Sequence, residues 1–194
     1  DMGLCVMCTS MGMTRPAEEV DHIVSLANGG TDAASNLRSL CKPCHKVKTK
    51  IELWPHLVPY LPEFKTKVVV VCGPPACGKT HYINEHKQPG DVVLDIDDIL
   101  QAQGITRLNR TEKQIEIALT ERNVRLYTLC NKNTGTIWLP ATASHPTTRK
   151  LWKERTGGEV VLLRVCPSVC IERIQSDPTR PATQAQIARD YLYD

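Results

Sequence analysis

No run of apolar residues in this chain approaches the ~20 that a membrane-spanning helix requires, so no such span is expected. No basic segment followed by an apolar stretch opens the sequence. The chain begins at Asp1 rather than Met, as a fragment of a longer protein would. Internal repeats and low-complexity tracts are missing too, which leaves ordinary globular domains. There is no large charge of one sign. Lys and Arg number 24 against 21 Asp and Glu, and a net charge of +3 does not by itself mark a nucleic-acid binder. Residues 1–65 carry seven basic and seven acidic side chains and the remainder seventeen and fourteen, so any basic surface must come from local clustering. The nine cysteines do not form the even framework of a small secreted domain.

What is present is 194 residues, 41% hydrophobic and 23% charged, enough for one ordinary domain or two small ones. Four cysteines stand as two tight pairs, Cys5-x-x-Cys8 and Cys41-x-x-Cys44, and each pair can set two sulfurs on one tetrahedral ion. The other five, Cys72, Cys77, Cys130, Cys166 and Cys170, lie mostly in apolar runs and read as reduced core thiols. Together these features point to a reducing cytoplasm and a structural Zn2+ site.

A break falls at 54–65, where Pro55, Pro59 and Pro62 block regular structure, with Trp54, Leu57, Tyr60 and Phe64 free to pack on either side. Residues 1–53 are short of apolar side chains, and a zinc staple would supply what the core lacks, on the order of 10–16 kcal/mol in small metal-folded peptides. There the expected order is a knuckle at 5–8, a strand at 18–24, a loop at 25–35, a strand at 37–40, a knuckle at 41–44 and a helix at 44–52. Residues 66–194 alternate, with strands at 67–72, 91–96, 135–141 and 159–165, and helices at 79–86, 97–102, 110–131, 146–155, 167–175 and 183–192. The opening strand is almost wholly apolar, which predicts a parallel sheet covered on both faces. The fold class is therefore α/β: a small zinc-stapled ββα unit followed by a phosphate-loop sheet domain. In the helix over 110–131, Ile115, Leu119, Arg122, Leu126 and Leu129 share one face, which reads mostly as core.

In Val20-Asp21-His22-Ile23-Val24, Asp21 and His22 are strand neighbours and face opposite sides. His45 follows Cys44 directly and rides the first turn of the next helix. Asp21 and His45 could hold one divalent cation such as Mg2+ or Mn2+, with positions open for phosphate and water. His22 would then be free as a general base and Asn36 would orient its ring. Gly29-Gly30 permits the returning turn, and Lys42, Lys46, Lys48 and Lys50 cluster as candidate phosphate contacts. On Asp21-His22, Ser35-Asn36-Leu37 and Cys41-Lys-Pro-Cys44-His45, residues 5–50 resemble the HNH (ββα-metal) endonuclease family in its four-cysteine branch. The resemblance implies His22 as base, Asn36 as positioner, and Asp21 and His45 as ligands of the catalytic metal.

Gly73-Pro74-Pro75-Ala76-Cys77-Gly78-Lys79-Thr80 follows an apolar strand and precedes a helix, the setting of a phosphate-binding loop. Its backbone would cradle the phosphates of ATP or another nucleoside triphosphate, Lys79 would reach the β- and γ-phosphates, and the Thr80 hydroxyl would bind Mg2+. Asp95, Asp97 and Asp98 end the next strand on the side where such sheets bind ligands. Asp97 is the candidate base towards an acceptor hydroxyl and Asp95 belongs to the magnesium-water shell, while Asp97 or Asp98 could instead cap a helix. Arg173 and Arg180 flank a proline-bounded loop that could close over the transferring phosphate.

With Leu94-Asp95-Ile96-Asp97-Asp98, His145-Pro146-x-x-Arg149 and the stretch from Arg173 to Arg180, residues 66–194 resemble the phosphate-loop polynucleotide 5′-kinases. That resemblance implies Asp97 as base towards a 5′-hydroxyl and Arg180, less directly Arg173, as the lid arginine. Two positions depart from the family pattern. Leu100 stands where an acceptor-binding arginine is common, and Pro140-Ala-Thr-Ala-Ser144 lacks the usual acid, leaving Thr142 or Ser144 as weak substitutes and Arg107, Arg110 or Arg149 to bind acceptor phosphate. The expected protein is a bifunctional end-processing enzyme for DNA or RNA, a metal-dependent endonuclease joined to an NTP-dependent 5′-hydroxyl kinase. Such a fusion suits repair in bacterial or phage-infected cytoplasm. The alternatives are a nuclease fused to a nucleoside or nucleotide kinase, or to an NTP-driven switch.

Overall fold

The computed structural model describes residues 3–10, 13–53, 64–130 and 135–193. Most of the expected connector at 54–65 lies outside the described residues. Its end is seen, with Phe64 packed on the sheet domain's core and the Thr66 N–H and hydroxyl donating to the carbonyls of Cys130 and Leu129.

The front unit runs α1 (Val6–Ser10), β1 (Glu19–His22), β2 (Leu37–Leu40) and α2 (Lys42–Leu53). The two strands are antiparallel, with Asp21 opposite Arg38 and Glu19 opposite Leu40. The knuckle expected at 5–8 is the start of a short helix, and α2 begins two residues earlier than expected, as the His45 N–H already donates to the Cys41 carbonyl. The loop between the strands is closed by one side chain. Asn36 Oδ1 accepts from Val24 N at 2.9 Å, and its Nδ2 donates to Val24 O at 3.0 Å and Thr31 O at 2.7 Å. Gly30 makes this possible, because a Cβ there would lie 1.9 Å from the Val24 carbonyl oxygen and 2.9 Å from Asn36 Nδ2. Gly30→Ala is therefore expected to destabilise the front unit by about 2–4 kcal/mol. A denaturant midpoint unchanged from the native protein would refute that.

The second unit runs β3 (Lys67–Cys72), α3 (Lys79–His86), β4 (Val92–Val93), α4 (Ile96–Gln101), α5 (Glu112–Leu129), β5 (Thr136–Ala141), α6 (Pro146–Thr156), β6 (Glu159–Leu162), α7 (Pro167–Ser176) and α8 (Thr183–Arg189). Its four strands are parallel in the order β4-β5-β3-β6. β3 is buried on both faces. Val68, Val70 and Cys72 pack with Leu126, Leu129, Ile137 and Leu139, while Val69 and Val71 pack with Ile83 and Trp138. The expected strand at 91–96 is cut to two residues because Asp95 leaves the sheet to cap α4, its Oδ1 accepting from Asp97 N at 3.0 Å. That short β4 explains how β5 tolerates Pro140. Pro140 pairs with Val71 of β3 on one side, and on the other it lies beyond the end of β4, where no ladder donor is needed. α8 ends at Arg189 rather than 192, and the tail turns back so that Leu192 N donates to Ser144 O.

The two units share a helix. α5 sends Leu126 and Leu129 into the sheet core and Val124 into the cysteine-rich core with Cys5, Met7, Cys8, Leu40 and Val47. α5 starts on a capping box, Thr111 with Gln114, which satisfies two donors of its first turn.

Candidate active sites

Cys5, Cys8, Cys41 and Cys44 converge, all buried, with their sulfurs within 4.8 Å of one another. Cys8 Sγ lies 3.8 Å from Cys41 Sγ and 3.7 Å from Cys44 Sγ. A tetrahedral ion with metal–sulfur bonds of about 2.3 Å has edges of about 3.8 Å, so the quartet fits zinc. Among the described residues these four make the one cluster of three or more ligand-type side chains.

On the face of β1 that meets α2, Glu19 and Asp21 stand two apart and both meet His45 of α2. His45 Nδ1 lies 2.5 Å from Glu19 Oε2 and His45 Nε2 lies 3.5 Å from Asp21 Oδ1. Asp21 is 4% exposed and already neutralised, by Lys48 Nζ 3.0 Å from Oδ1 and by Arg38 Nε 3.0 Å from Oδ2. The carboxylate and imidazole are a donor set that suits a divalent ion. The Lys48 ammonium holds the cation position at Oδ1. Lys48 thus points inward, and the expected lysine cluster is not one surface, for Lys42 pairs with Glu18. His22 faces away from Asp21, as strand alternation requires. Its Nε2 meets Asp32 Oδ1 at 2.8 Å. The expected Asn36–His22 bond is not the contact made, because the loop carbonyls and the Val24 N–H take the Asn36 amide, and Asp32 is the group that touches the ring. Glu19 and Asp32 were missed from sequence. The spacing of Glu19 and Asp21 on one strand face was a signal for the first, and nothing local marked the second.

The phosphate loop leaves β3 at Gly73 (φ 157°), where a Cβ would meet Cys77 Sγ at 2.5 Å, and enters α3 through Gly78 in the left-handed region (φ 98°). Ala76, a non-glycine residue, is also left-handed (φ 61°), a strained conformation of the kind that gathers at binding loops. Gly78 supplies no side-chain cap, so the first N–H groups of α3 are open to an anion. Lys79 folds back over the loop and donates to the carbonyls of Gly73 and Pro74, each at 2.8 Å. Burial lowers its pKa, and the nearby Cys77 and Asp95 partly offset that.

A cleft of about 550 Å³ opens above the loop, lined by Pro75, Ala76, Gly78, Lys79 and Thr80, by Asp95 and Asp97, by the strand-end run from Pro140 to Ala143, and by Arg173 and Arg180. Burial raises the pKa of Asp95, with the bond from Asp97 N acting against it. Asp97 does not stand free as a base. Its Oδ2 accepts from Arg107 Nε at 2.8 Å and its Oδ1 from Arg110 Nη1 at 2.6 Å.

Residues 68–189, more than half of the chain, match the family described as AAA domain, and residues 5–50 match HNH endonuclease. The chain belongs to the AAA domain family and carries an HNH domain before it. Among curated proteins none matches the sequence. One similar solved structure is a shikimate kinase from Acinetobacter baumannii in complex with shikimate, at 23% identity and a TM-score of 0.45, over 66% of this chain and 75% of that one. The parallel sheet of the AAA domain is the kinase-like phosphate-loop arrangement. No helix of the described residues is long and apolar enough to cross a membrane.

Within the AAA domain's cleft, both lid candidates line the wall. Arg173 Nη1 reaches the loop and donates to Ala76 O at 3.2 Å, while Arg180 bonds Asp177 and Gln184 beside it. Arg149 is not a cleft residue. It clamps the C-terminal tail, donating to Ala143 O at 2.9 Å and Tyr193 O at 2.6 Å. Leu100 faces the core with Ile99 and Ala118, so that position of α4 has no access to an acceptor. Thr142 lines the cleft, and Asp95, rather than Asp97 or Asp98, is the cap of α4.

Proposed function

We propose that the chain is a two-site nucleic-acid end-processing enzyme. The HNH unit at 1–53 cleaves phosphodiesters, and the AAA unit at 66–194 moves the γ-phosphate of a nucleoside triphosphate onto a 5′-hydroxyl. The observation that carries the second half is the pair of guanidiniums on Asp97 inside the phosphate-loop cleft. A phosphate-bearing acceptor offers Arg107 and Arg110 a stronger anion than a carboxylate, and their transfer to it uncovers the Asp97 oxygens for the attacking hydroxyl's proton. Lys79, the α3 N-terminus and Arg173 offset the charge that develops on the transferring group. Thr80 would hold Mg2+, with Asp95 in its water shell.

In the HNH unit, Asp21 and His45 would hold a divalent ion, which when bound polarises the scissile phosphate. His22 takes a proton from the attacking water, with Asp32 fixing its ring.

The test is purified protein incubated with γ-labelled ATP, 5′-hydroxyl strands of DNA and RNA, and a panel of free nucleosides. Label is expected on strand ends. Label on nucleosides alone rejects the polynucleotide reading in favour of a small-molecule kinase. In parallel, His22→Ala is expected to lower metal-dependent nicking by at least about 100-fold with ATP turnover intact; undiminished nicking removes His22 from the mechanism.

A further inference from the structure

Arg38 stands opposite Asp21 in the register of β1 and β2, and its Nε donates to Asp21 Oδ2 at 3.0 Å. That bond leaves the other oxygen, Oδ1, on the side of His45 Nε2, 3.5 Å away. The guanidinium is also held from outside the HNH unit. Arg38 Nη1 lies 3.6 Å from Glu121 Oε2. Glu121 belongs to α5, the helix that Leu126 and Leu129 root in the sheet core of the AAA unit. Its other oxygen, Oε1, accepts from Arg125 Nη2 one turn further along. Arg125 Nε is buried with no hydrogen-bond partner, so Glu121 is what ties that side chain down.

Lys48, Asp21, Arg38, Glu121 and Arg125 therefore form one row of alternating charge that runs from the candidate metal centre into α5. Lys48, Asp21 and Glu121 are buried. Charges withdrawn from water act on one another further than exposed ones do, so the far end of the row is felt at the near end. A divalent ion that takes the place of the Lys48 ammonium at Asp21 Oδ1 still shares that carboxylate with Arg38, whose charge opposes it. Among the described residues Asp21 and Glu121 are the carboxylates within ion-pair distance of Arg38. Glu121 is the one left to offset the guanidinium once Asp21 serves the ion. It also keeps the guanidinium on the Oδ2 side of Asp21.

We propose that Glu121 of the AAA unit is a positioning residue for the HNH metal centre. Acting through Arg38, it keeps Asp21 Oδ1 available to a divalent ion, so the nuclease site is complete only with α5 in place. The proposal rests on the nuclease reading and deepens it. Glu121 touches neither the ion nor the scissile phosphate and changes no bond. Its effect is on how tightly the ion is held.

The experiment measures Mn2+ binding to the full zinc-loaded chain, without nucleotide, from the electron paramagnetic resonance signal of free Mn2+. The proteins are native, Asp21→Asn, Glu121→Gln, Glu121→Asp, and Arg38→Gln with and without Glu121→Gln. Zinc content and thermal unfolding report whether each variant is folded. Asp21→Asn identifies the site by losing the binding. Glu121→Gln, which keeps the shape and removes the charge, is expected to weaken binding about tenfold, the low end for a group standing behind a ligand. Half-maximal nicking should need correspondingly more Mn2+, and Glu121→Asp should recover part of the loss. In the Arg38→Gln background the same Glu121→Gln change should weaken binding less than about threefold, because the group it acts through is gone. Equal binding by native protein and Glu121→Gln overturns the proposal and leaves the nuclease reading standing. A loss that persists undiminished in the Arg38→Gln background overturns it too, since the effect then does not pass through Arg38. A native protein that binds no Mn2+ at Asp21 overturns the ligand roles of Asp21 and His45, and the proposal with them. If Glu121→Gln does not keep its zinc, Arg125→Gln decides. That variant leaves Glu121 to Arg38 alone and should tighten Mn2+ binding about twofold, a gain that misfolding cannot produce; binding no tighter than in native protein overturns the proposal.

Discussion

Lys79→Ala is expected to lower phosphate transfer about 1000-fold and to leave strand cleavage unchanged. The Lys79 ammonium sits half-buried on two loop carbonyls at 2.8 Å, and that burial already disfavours its charge. A triphosphate in the loop replaces two neutral acceptors with anionic oxygens, so the ammonium gains most when the transferring group carries most charge. Removing one preorganised donor of that kind costs on the order of 10²–10³ in rate, and a full positive charge belongs at the upper end. Labelled transfer and plasmid nicking measured on the same preparation check both halves. Nicking that falls together with transfer would point instead to an NTP-driven control of the nuclease.

Zinc removal is expected to unfold the HNH unit and abolish cleavage. Cys5, Met7, Cys8, Leu40, Cys41, Cys44 and Val47 make nearly the whole of that unit's core, and four of these seven are the thiols whose arrangement fits zinc. A bound ion would therefore supply folding energy, on the order of 10 kcal/mol. Cys44→Ala should do the same as a chelator. The damage reaches α5, because Val124 closes the same core, while the sheet around β3 keeps its own. Far-UV circular dichroism and zinc content read the first effect and nicking the second; full cleavage by zinc-free protein would be the contrary result.

The pH dependence has a definite sign. Burial raises the thiol of Cys8 to about 11 and that of Cys44 further, so near neutrality both hold protons that zinc must displace. Cys5 is the exception. Burial would raise it, but bonds from the Cys41 and Cys8 backbones outweigh that and bring it to about 7. Apparent zinc affinity should therefore fall as pH falls, about tenfold per unit for each proton displaced, with a steeper slope below pH 7 where Cys5 is protonated too. A competition titration between pH 6 and 8 measures it.

Much of this protein is written in short-range pattern. The CxxC pairs, the glycine-lysine loop after an apolar strand, and the strand–helix alternation each depend on residues close in sequence, so spacing alone carries them. The starts of α3, α6, α7 and α8 and the phosphate loop were legible for that reason. Strand ends at 96 and 165 were not, because Asp95 leaves the sheet to cap a helix and β6 ends where its partner β3 turns into the loop. The side-chain partners at the two sites were legible only in part. Asp21 was expected as a metal ligand and meets Lys48 and Arg38, and Asp97 was expected as a base and meets Arg107 and Arg110.

Sequence by itself determined that four thiols converge in an arrangement that fits one zinc ion and that a glycine-lysine loop opens α3, since both follow from ligand spacing and backbone conformation over a few residues. Only the tertiary structure decided which charge answers which. It brought α5 between the two units, set Arg122 over the Trp152 ring in the cleft and Glu121 against Arg38, and gave Asn36 to the loop instead of to His22. Ion pairs and buried hydrogen bonds join groups distant along the chain, and their choice is made by how helices and strands pack, which no local pattern encodes.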